Sequence, residues 1–337
     1  MATLLGCEPR ESPEVTIGVA FETLQTEYWV ASFDAFRDEL SERGFGVREA
    51  VADGSADRQL DQVHALIGMG VDGLVIAPKD ATTVVPMILA ANRAQVPIVL
   101  YNRPPAANEG QSVTVVADNY KLARATVEYM IDRAREGGVD CKALVLIGDL
   151  ADQNAIARRD GFEDAVAAHP DVVEVVARIP TEWSQEKALA GMTNSLLAHP
   201  EINFVFSSSD FLFPSVVSAL EAAGKYHPVG DPGHVLLGGF DGDSMAYRML
   251  VEGYLDADGV QDVFFECTAS IDALLATRRG ESPPPIVNDP GFVIHQGNLE
   301  EMAPRMWGAR VALAAAAAAD QGDDPPGDSE PPPEAPL

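Results

Sequence analysis

The stretch Leu60-Asp61-Gln62-Val63-His64-Ala65-Leu66-Ile67-Gly68-Met69-Gly70-Val71-Asp72-Gly73-Leu74-Val75-Ile76-Ala77 decides the fold. Leu60, Val63, Leu66 and Ile67 recur at helical spacing. Gly68 and Gly70 then read as a helix stop. Residues 73–77 follow as an apolar run, as expected of a strand covered by helices on both faces. Gly68, Gly70 and Gly73 also match the GxGxxG string of dinucleotide sites. That fingerprint must follow a strand and open a helix, and here the order is reversed. The stretch is a helix-to-strand unit, not a phosphate loop.

The same alternation extends in both directions. Strand-like apolar runs fall at 15–20, 47–51, 98–101, 113–116, 143–147, 173–177, 204–207, 235–240 and 255–260. Helical periodicity lies between them, for instance over 29–43, 122–135, 155–168 and 187–198. Repeated strand–helix alternation predicts an α/β protein. The pattern runs twice, one set ending near Val116 and the next beginning near Leu144, each about the size of one doubly wound domain. Polar residues 8–14 read as a linker. The chain from about Ala314 reads as a tail; after an alanine run, residues 320–337 are too rich in Asp, Gly, Glu and Pro to bury a core.

The 337 residues are 47% apolar and 22% charged, ordinary for a globular protein, but carry a net charge of −29. That charge excludes a nucleic-acid partner, which needs a Lys/Arg surface, and it disfavours docking on an anionic membrane. No apolar run reaches the ~20 residues of a membrane span. The three cysteines, Cys7, Cys141 and Cys267, form no CxxC or zinc-spaced cluster, so no metal or cofactor is expected. Cys141 and Cys267 read as buried thiols, with a disulfide between them left open. Leu4-Leu5-Gly6-Cys7 resembles a bacterial lipobox, although only Met1-Ala2-Thr3 precedes it where a charged and then apolar leader belongs. The six histidines have no Ser or Cys partner, and no Walker loop or GxSxG elbow occurs, so no enzymatic activity is expected.

What the sequence offers instead is polar and aromatic chemistry at strand ends, where open α/β sheets bind ligands. In order these are Thr26, Tyr28 and Trp29; Asn102 and Arg103; Asn154 and Arg158; Trp183; Ser209 and Asp210; Asp241; and Gln261. Amides, carboxylates and guanidinium groups together donate to and accept from hydroxyls. Aromatic faces suit the C–H faces of a sugar ring. Each residue also has a purely structural reading. Asp241 could cap a helix, Arg158 could pair with Asp160 or Glu163 on a surface, and Tyr28 and Trp29 could staple the core. Asp210 could be structural throughout.

The ordered set Thr23–Trp29, Val96–Arg103, Asn154–Phe162, Ala198–Glu201, Phe204–Asp210, Gly238–Gly242 and Gln261 resembles the type I periplasmic sugar-binding proteins, the ribose-, galactose- and inositol-type receptors of ABC importers. The likeness spans roughly Val15 to Gln296. It implies two Rossmann-like lobes joined by three crossovers, with residues 15–116 plus 262–289 in one lobe and 117–261 plus 290–313 in the other. Ligand would lie in the cleft between them. Tyr28, Trp29 and Trp183 would sandwich a sugar or polyol ring. Asn102, Arg103, Asn154, Arg158, Ser209, Asp241 and Gln261, with Thr26 near them, would hold its hydroxyls. Ribose receptors usually carry Asp where this chain has Asn102, and Asn where it has Ser209, so a hydroxyl pattern other than that of ribose is expected. The resemblance also implies a monomer outside the cytoplasm that serves an ABC permease, tethered by lipid if Cys7 is modified. Two other roles use the same sensor fold. One is a receptor domain for a membrane signalling partner. The other is a LacI-type regulator core, which would need a DNA-binding module of about 50–60 residues before the first strand.

Overall fold

The computed structural model describes residues 15–320; the linker, Cys7 and residues 321–337 lie outside the described residues. Two six-stranded sheets form the molecule. The first holds β1 (Thr16–Phe21), β2 (Gly46–Val51), β3 (Gly73–Ala77), β4 (Ile98–Tyr101) and β5 (Val113–Ala117). The second holds β6 (Cys141–Ile147), β7 (Val173–Pro180), β8 (Phe204–Ser207), β9 (Leu236–Asp241) and β10 (Ala257–Val260). Two late strands finish them, β11 (Ile286–Asp289) on the first sheet and β12 (Phe292–His295) on the second. The orders are β11-β5-β4-β3-β1-β2 and β12-β10-β9-β8-β6-β7. Every pairing is parallel except β10 with β12. The two sheets repeat one topology, and the chain passes between them three times, after β5, β10 and β11.

The helices are α1 (Glu27–Glu42), α2 (Ala56–Gly68), α3 (Val85–Arg93), α4 (Asn119–Gly137), α5 (Gln153–Ala167), α6 (Gln185–Ala198), α7 (Phe213–Ala222), α8 (Ser244–Glu252), α9 (Val263–Arg278), α10 (Leu299–Met302) and α11 (Trp307–Asp320). The opening stretch folds as read: α2 ends at Gly68, Gly70 takes a left-handed φ of 76°, and β3 follows, buried at every position. The central strands are apolar on both faces because helices cover both; β3, β4 and β8 have no exposed residue. One expectation is corrected. Helix α11 runs on through Ala314–Ala319 to Asp320, past the point where the tail was expected to begin. The alanine run has the highest intrinsic helix propensity, and only the residues after it carry the Gly and Pro that oppose a helix. Cys141 and Cys267 are free and buried, so no disulfide joins them.

Strand ends hand over to helices through side-chain caps, and this places polar residues at one edge of each sheet. Asp118, Asp152, Asp243 and Asp262 each accept a hydrogen bond from a backbone N–H in the first turn of α4, α5, α8 and α9. Each such cap is worth roughly 1 kcal/mol. Of these, Asp152 and Asp243 border the space between the lobes, while Asp118 and Asp262 open the helices that follow the first two crossovers.

Candidate functional site

Between the two sheets lies a cleft of ≈ 720 Å³. All twelve site residues read from the sequence border it, from Thr26 on one side to Gln261 at its base. Three of them depend on strained backbone. Asn102 sits at φ 67° and Trp183 at φ 56°, left-handed conformations that a side chain with a Cβ rarely adopts. Asp241, at φ 129°, is further from any allowed region for a non-glycine residue. Such strain persists where the surroundings over-determine it, and here hydrogen bonds do so.

Arg158 is the centre of the C-terminal half. Its side chain points inward from α5 and is buried. Its Nη1 donates to Asp241 Oδ1 at 2.8 Å and to the Ser208 carbonyl at 2.8 Å, and its Nε donates to Asn119 Oδ1 at 2.7 Å. The guanidinium lies 3.9 Å from the Phe240 ring centroid and 5.9 Å from that of Trp183. The surface pairing considered for it does not form, because Arg159 takes Asp160 and Arg178 takes Glu163. Nor does Asp241 cap a helix; Asp243 caps α8. Asp241 instead accepts from Arg158, from Gln261 Nε2 at 2.7 Å and from Ser209 Oγ. Burial raises the Asp241 pKa, against the pull of Arg158, Ser209 and Gln261.

The other residues divide into those aimed at the cleft and those that brace it. Trp183 packs its ring on Gly148, where a Cβ would lie 2.1 Å from the ring, and its Nε1 donates to Asp152 at 3.3 Å. Trp29 packs edge-on to Phe21 and lies beneath Arg103, whose Cζ is 5.1 Å from its centroid. Arg103 Nη1 donates to Glu22 at 2.8 Å and to the Pro78 carbonyl at 2.9 Å. Thr26 stands at the start of α1 without making a cap bond. Asp210 spends both oxygens on the backbone N–H groups of Phe240, Gly242 and Asp243, so it braces the β9 turn, the structural role held open for it. Burial pushes its pKa well up. The Tyr28 hydroxyl donates to the buried Glu266 at 2.8 Å and accepts from Asn102 Nδ2 at 2.8 Å.

Several cleft residues escaped the sequence reading. Glu27 at the start of α1 reaches across to α8, accepting from the Ser244 N–H at 3.0 Å and from Ser244 Oγ at 2.7 Å. An acidic side chain is favoured at a helix N-terminus, so this contact clasps the two lobes. Glu22, Asp152, Asp243, Arg248 and Trp307 also border the cleft. Trp307 Nε1 donates to the Asp241 carbonyl at 2.9 Å and so holds that strained residue from α11. In sequence Glu22, Asp152 and Asp243 look like ordinary loop and cap residues, and Glu27, Arg248 and Trp307 like ordinary helix residues. Among the described residues, no group of three or more His, Cys, Asp or Glu is placed to hold a metal, and no helix is long and apolar enough to cross a membrane.

Two hinged α/β lobes that converge polar and aromatic side chains on one cleft define a small-molecule binding protein of the lobe-closing class. The chain belongs to the periplasmic binding protein family: residues 17–282 match its periplasmic binding protein domain. It is 29% identical over 243 residues, 72% of this chain and 77% of the other, to the ribose import binding protein of Salmonella typhimurium. It is 28% identical to the D-ribose/D-allose-binding protein of Pseudomonas aeruginosa, over 81% of this chain and 85% of that one. Among solved structures, an ABC transporter solute-binding protein from Mycobacterium smegmatis with bound glycerol superposes with a TM-score of 0.74 at 27% identity, covering 86% of this chain and 96% of that one. The family is one of substrate-binding proteins, not enzymes, in line with the absence of catalytic motifs from the sequence.

Proposed function

We propose that this protein captures a neutral monosaccharide or polyol by closing its lobes and delivers it, as a monomer outside the cytoplasm, to the permease of an ABC importer. The observation that carries the reading is the buried Arg158–Asp241 pair at the base of the cleft, flanked by Trp183 and by the Asn102 and Gln261 amides. It gives a polyhydroxy ligand charged donors, charged acceptors and an apolar face in one place. The import binding proteins to which the chain is similar support the same reading.

Charge narrows the ligand class. Eight acidic side chains border the cleft against four cationic ones; even with the buried Asp210 and Asp243 holding their protons, negative charge stays in excess, which disfavours an anionic ligand such as a sugar phosphate. Size agrees: ≈ 720 Å³ falls in the range of about 300–1,000 Å³ typical of small-molecule sites. A monosaccharide of about a dozen heavy atoms needs roughly −8 kcal/mol for micromolar affinity, about −0.7 kcal/mol per atom and inside the ceiling for small ligands. Ligand that touches both lobes favours the closed form by its differential affinity. Lipid attachment at Cys7, outside the described residues, would keep the protein at the membrane surface.

The test is a thermal-shift screen of the purified protein against pentoses, hexoses, cyclitols and their phosphates. A neutral member should raise the melting temperature by mass action, while the phosphates should not. A screen in which no neutral sugar or polyol stabilises the protein counts against the reading.

A further inference from the structure

Six side chains at the base of the cleft form a closed hydrogen-bonded ring. Arg158 Nε donates to Asn119 Oδ1 at 2.7 Å, and Asn119 Nδ2 donates to Asn154 Oδ1 at 3.2 Å. Asn154 Nδ2 donates to Asn102 Oδ1 at 3.1 Å, and Asn102 Nδ2 donates to Gln261 Oε1 at 3.2 Å. Gln261 Nε2 donates to Asp241 Oδ1 at 2.7 Å, and Arg158 Nη1 closes the ring on that same oxygen at 2.8 Å. The ring joins the first lobe, through Asn102, to the second. All six side chains are buried.

The two ends of the ring give it a direction. A guanidinium has only donors and a carboxylate only acceptors. Between Arg158 and Asp241 each of the four carboxamides must therefore turn its oxygen toward Arg158 and its NH₂ toward Asp241. Turning any one of them over would set oxygen against oxygen at one joint and N–H against N–H at the other. Further contacts hold the same sense: Asn119 Nδ2 donates to the Ala117 carbonyl at 3.0 Å, and Asn102 Nδ2 donates to the Tyr28 hydroxyl at 2.8 Å. Leaving a buried polar group unpaired costs about 1–3 kcal/mol.

We infer that Asn119, which does not border the cleft, is a specificity-determining positioning residue: through this one-way ring it fixes which ends of the Asn154, Asn102 and Gln261 amides face the ligand. A carboxamide free to turn over would accept or donate to whichever hydroxyl arrived. These three cannot, so the cleft reads a fixed donor and acceptor pattern. The ring also accounts for Asn rather than Asp at position 102. A carboxylate there would place an oxygen against Gln261 Oε1, which cannot turn away because Gln261 Nε2 is held by Asp241. The inference rests on the sugar- or polyol-binding reading for its consequence, but not for its geometry.

Two measurements test it. The first is a neutron crystal structure of the deuterated protein, which distinguishes N from O in each amide. The ring requires all four NH₂ groups on the Asp241 side, and any one of them reversed overturns the inference. The second compares the wild type with Asn119→Asp by calorimetry against D-ribose, D-allose and myo-inositol. The substitution keeps the acceptor for Arg158 and removes the donor to Asn154. It should weaken the best of the three about tenfold or more and change their rank order. A purely structural Asn119 would lower all three by one factor, and an unchanged rank order refutes the specificity role. If the wild type binds none of the three sugars, the ligand reading fails while the neutron structure still decides the ring.

Discussion

Replacing Asp241 by Asn removes one charge from the centre of the cleft while keeping its shape. The Arg158 and Asp241 side chains are 6% and 12% exposed, so the pair is shielded from solvent and its loss is not screened as a surface pair's would be. Removing one partner of a buried pair costs about 3–5 kcal/mol. The lower end applies here for two reasons. Arg158 keeps its bonds to the Ser208 carbonyl and Asn119, and the neutral amide escapes the desolvation that raises the Asp241 pKa. A loss of about 3 kcal/mol lowers the melting temperature by roughly 4 °C for a chain of this size. A ligand hydroxyl that meets a neutral amide in place of a carboxylate loses about 1.5–3 kcal/mol, roughly 10- to 150-fold in affinity. Scanning calorimetry and titration calorimetry read the two effects separately. A variant that melts within about 1 °C of wild type and binds sugar equally well refutes the ion pair as the organising feature of the cleft.

Gly148→Ala places a Cβ where it would lie 2.1 Å from the Trp183 ring. The ring must leave its position, so sugar affinity should fall as it does in Trp183→Ala, for an overpacking cost of only about 1–3 kcal/mol; unchanged affinity in either variant removes Trp183 from the site. Stability should also depend on pH in a defined sense. Burial pushes Glu266 up to about 8, Asp243 up to about 7 and Asp289 up to about 6. Each holds its proton in the folded state above the ordinary carboxyl range near 4, so the folded state binds more protons than the unfolded one across that window. Their contribution to stability is therefore full below about pH 4 and is lost as pH rises toward about 8. The melting temperature should fall between pH 5 and pH 8, and Glu266→Gln should flatten the upper part of that fall; a rise over the range, or an unaltered profile in the variant, contradicts the assignment.

Much of the fold was legible because apolar runs such as Gly73–Ala77 and Phe204–Ser207 have few other uses than buried parallel strands. The cleft was legible because residues following strand ends share one edge of each sheet. Asn119, Glu266 and Glu27 were not. Each is a polar residue within or at the start of a helical pattern, where a solvated position is the ordinary outcome, and only packing turns Asn119 toward Arg158, Glu266 under Tyr28 and Glu27 toward Ser244. The edge strands β11 and β12 escaped because they are four residues each and follow a run of prolines. The full length of α11 is hidden because its alanines merge with the polar residues after them, although alanine by itself favours a helix.

A crystal structure of the protein with the sugar or polyol that stabilises it most would test the central claim. The ring should lie against Trp183, between the lobes, with hydroxyls on Arg158, Asp241 and Asn102. Ligand bound elsewhere on the molecule, or in the cleft without touching those four side chains, would contradict the account.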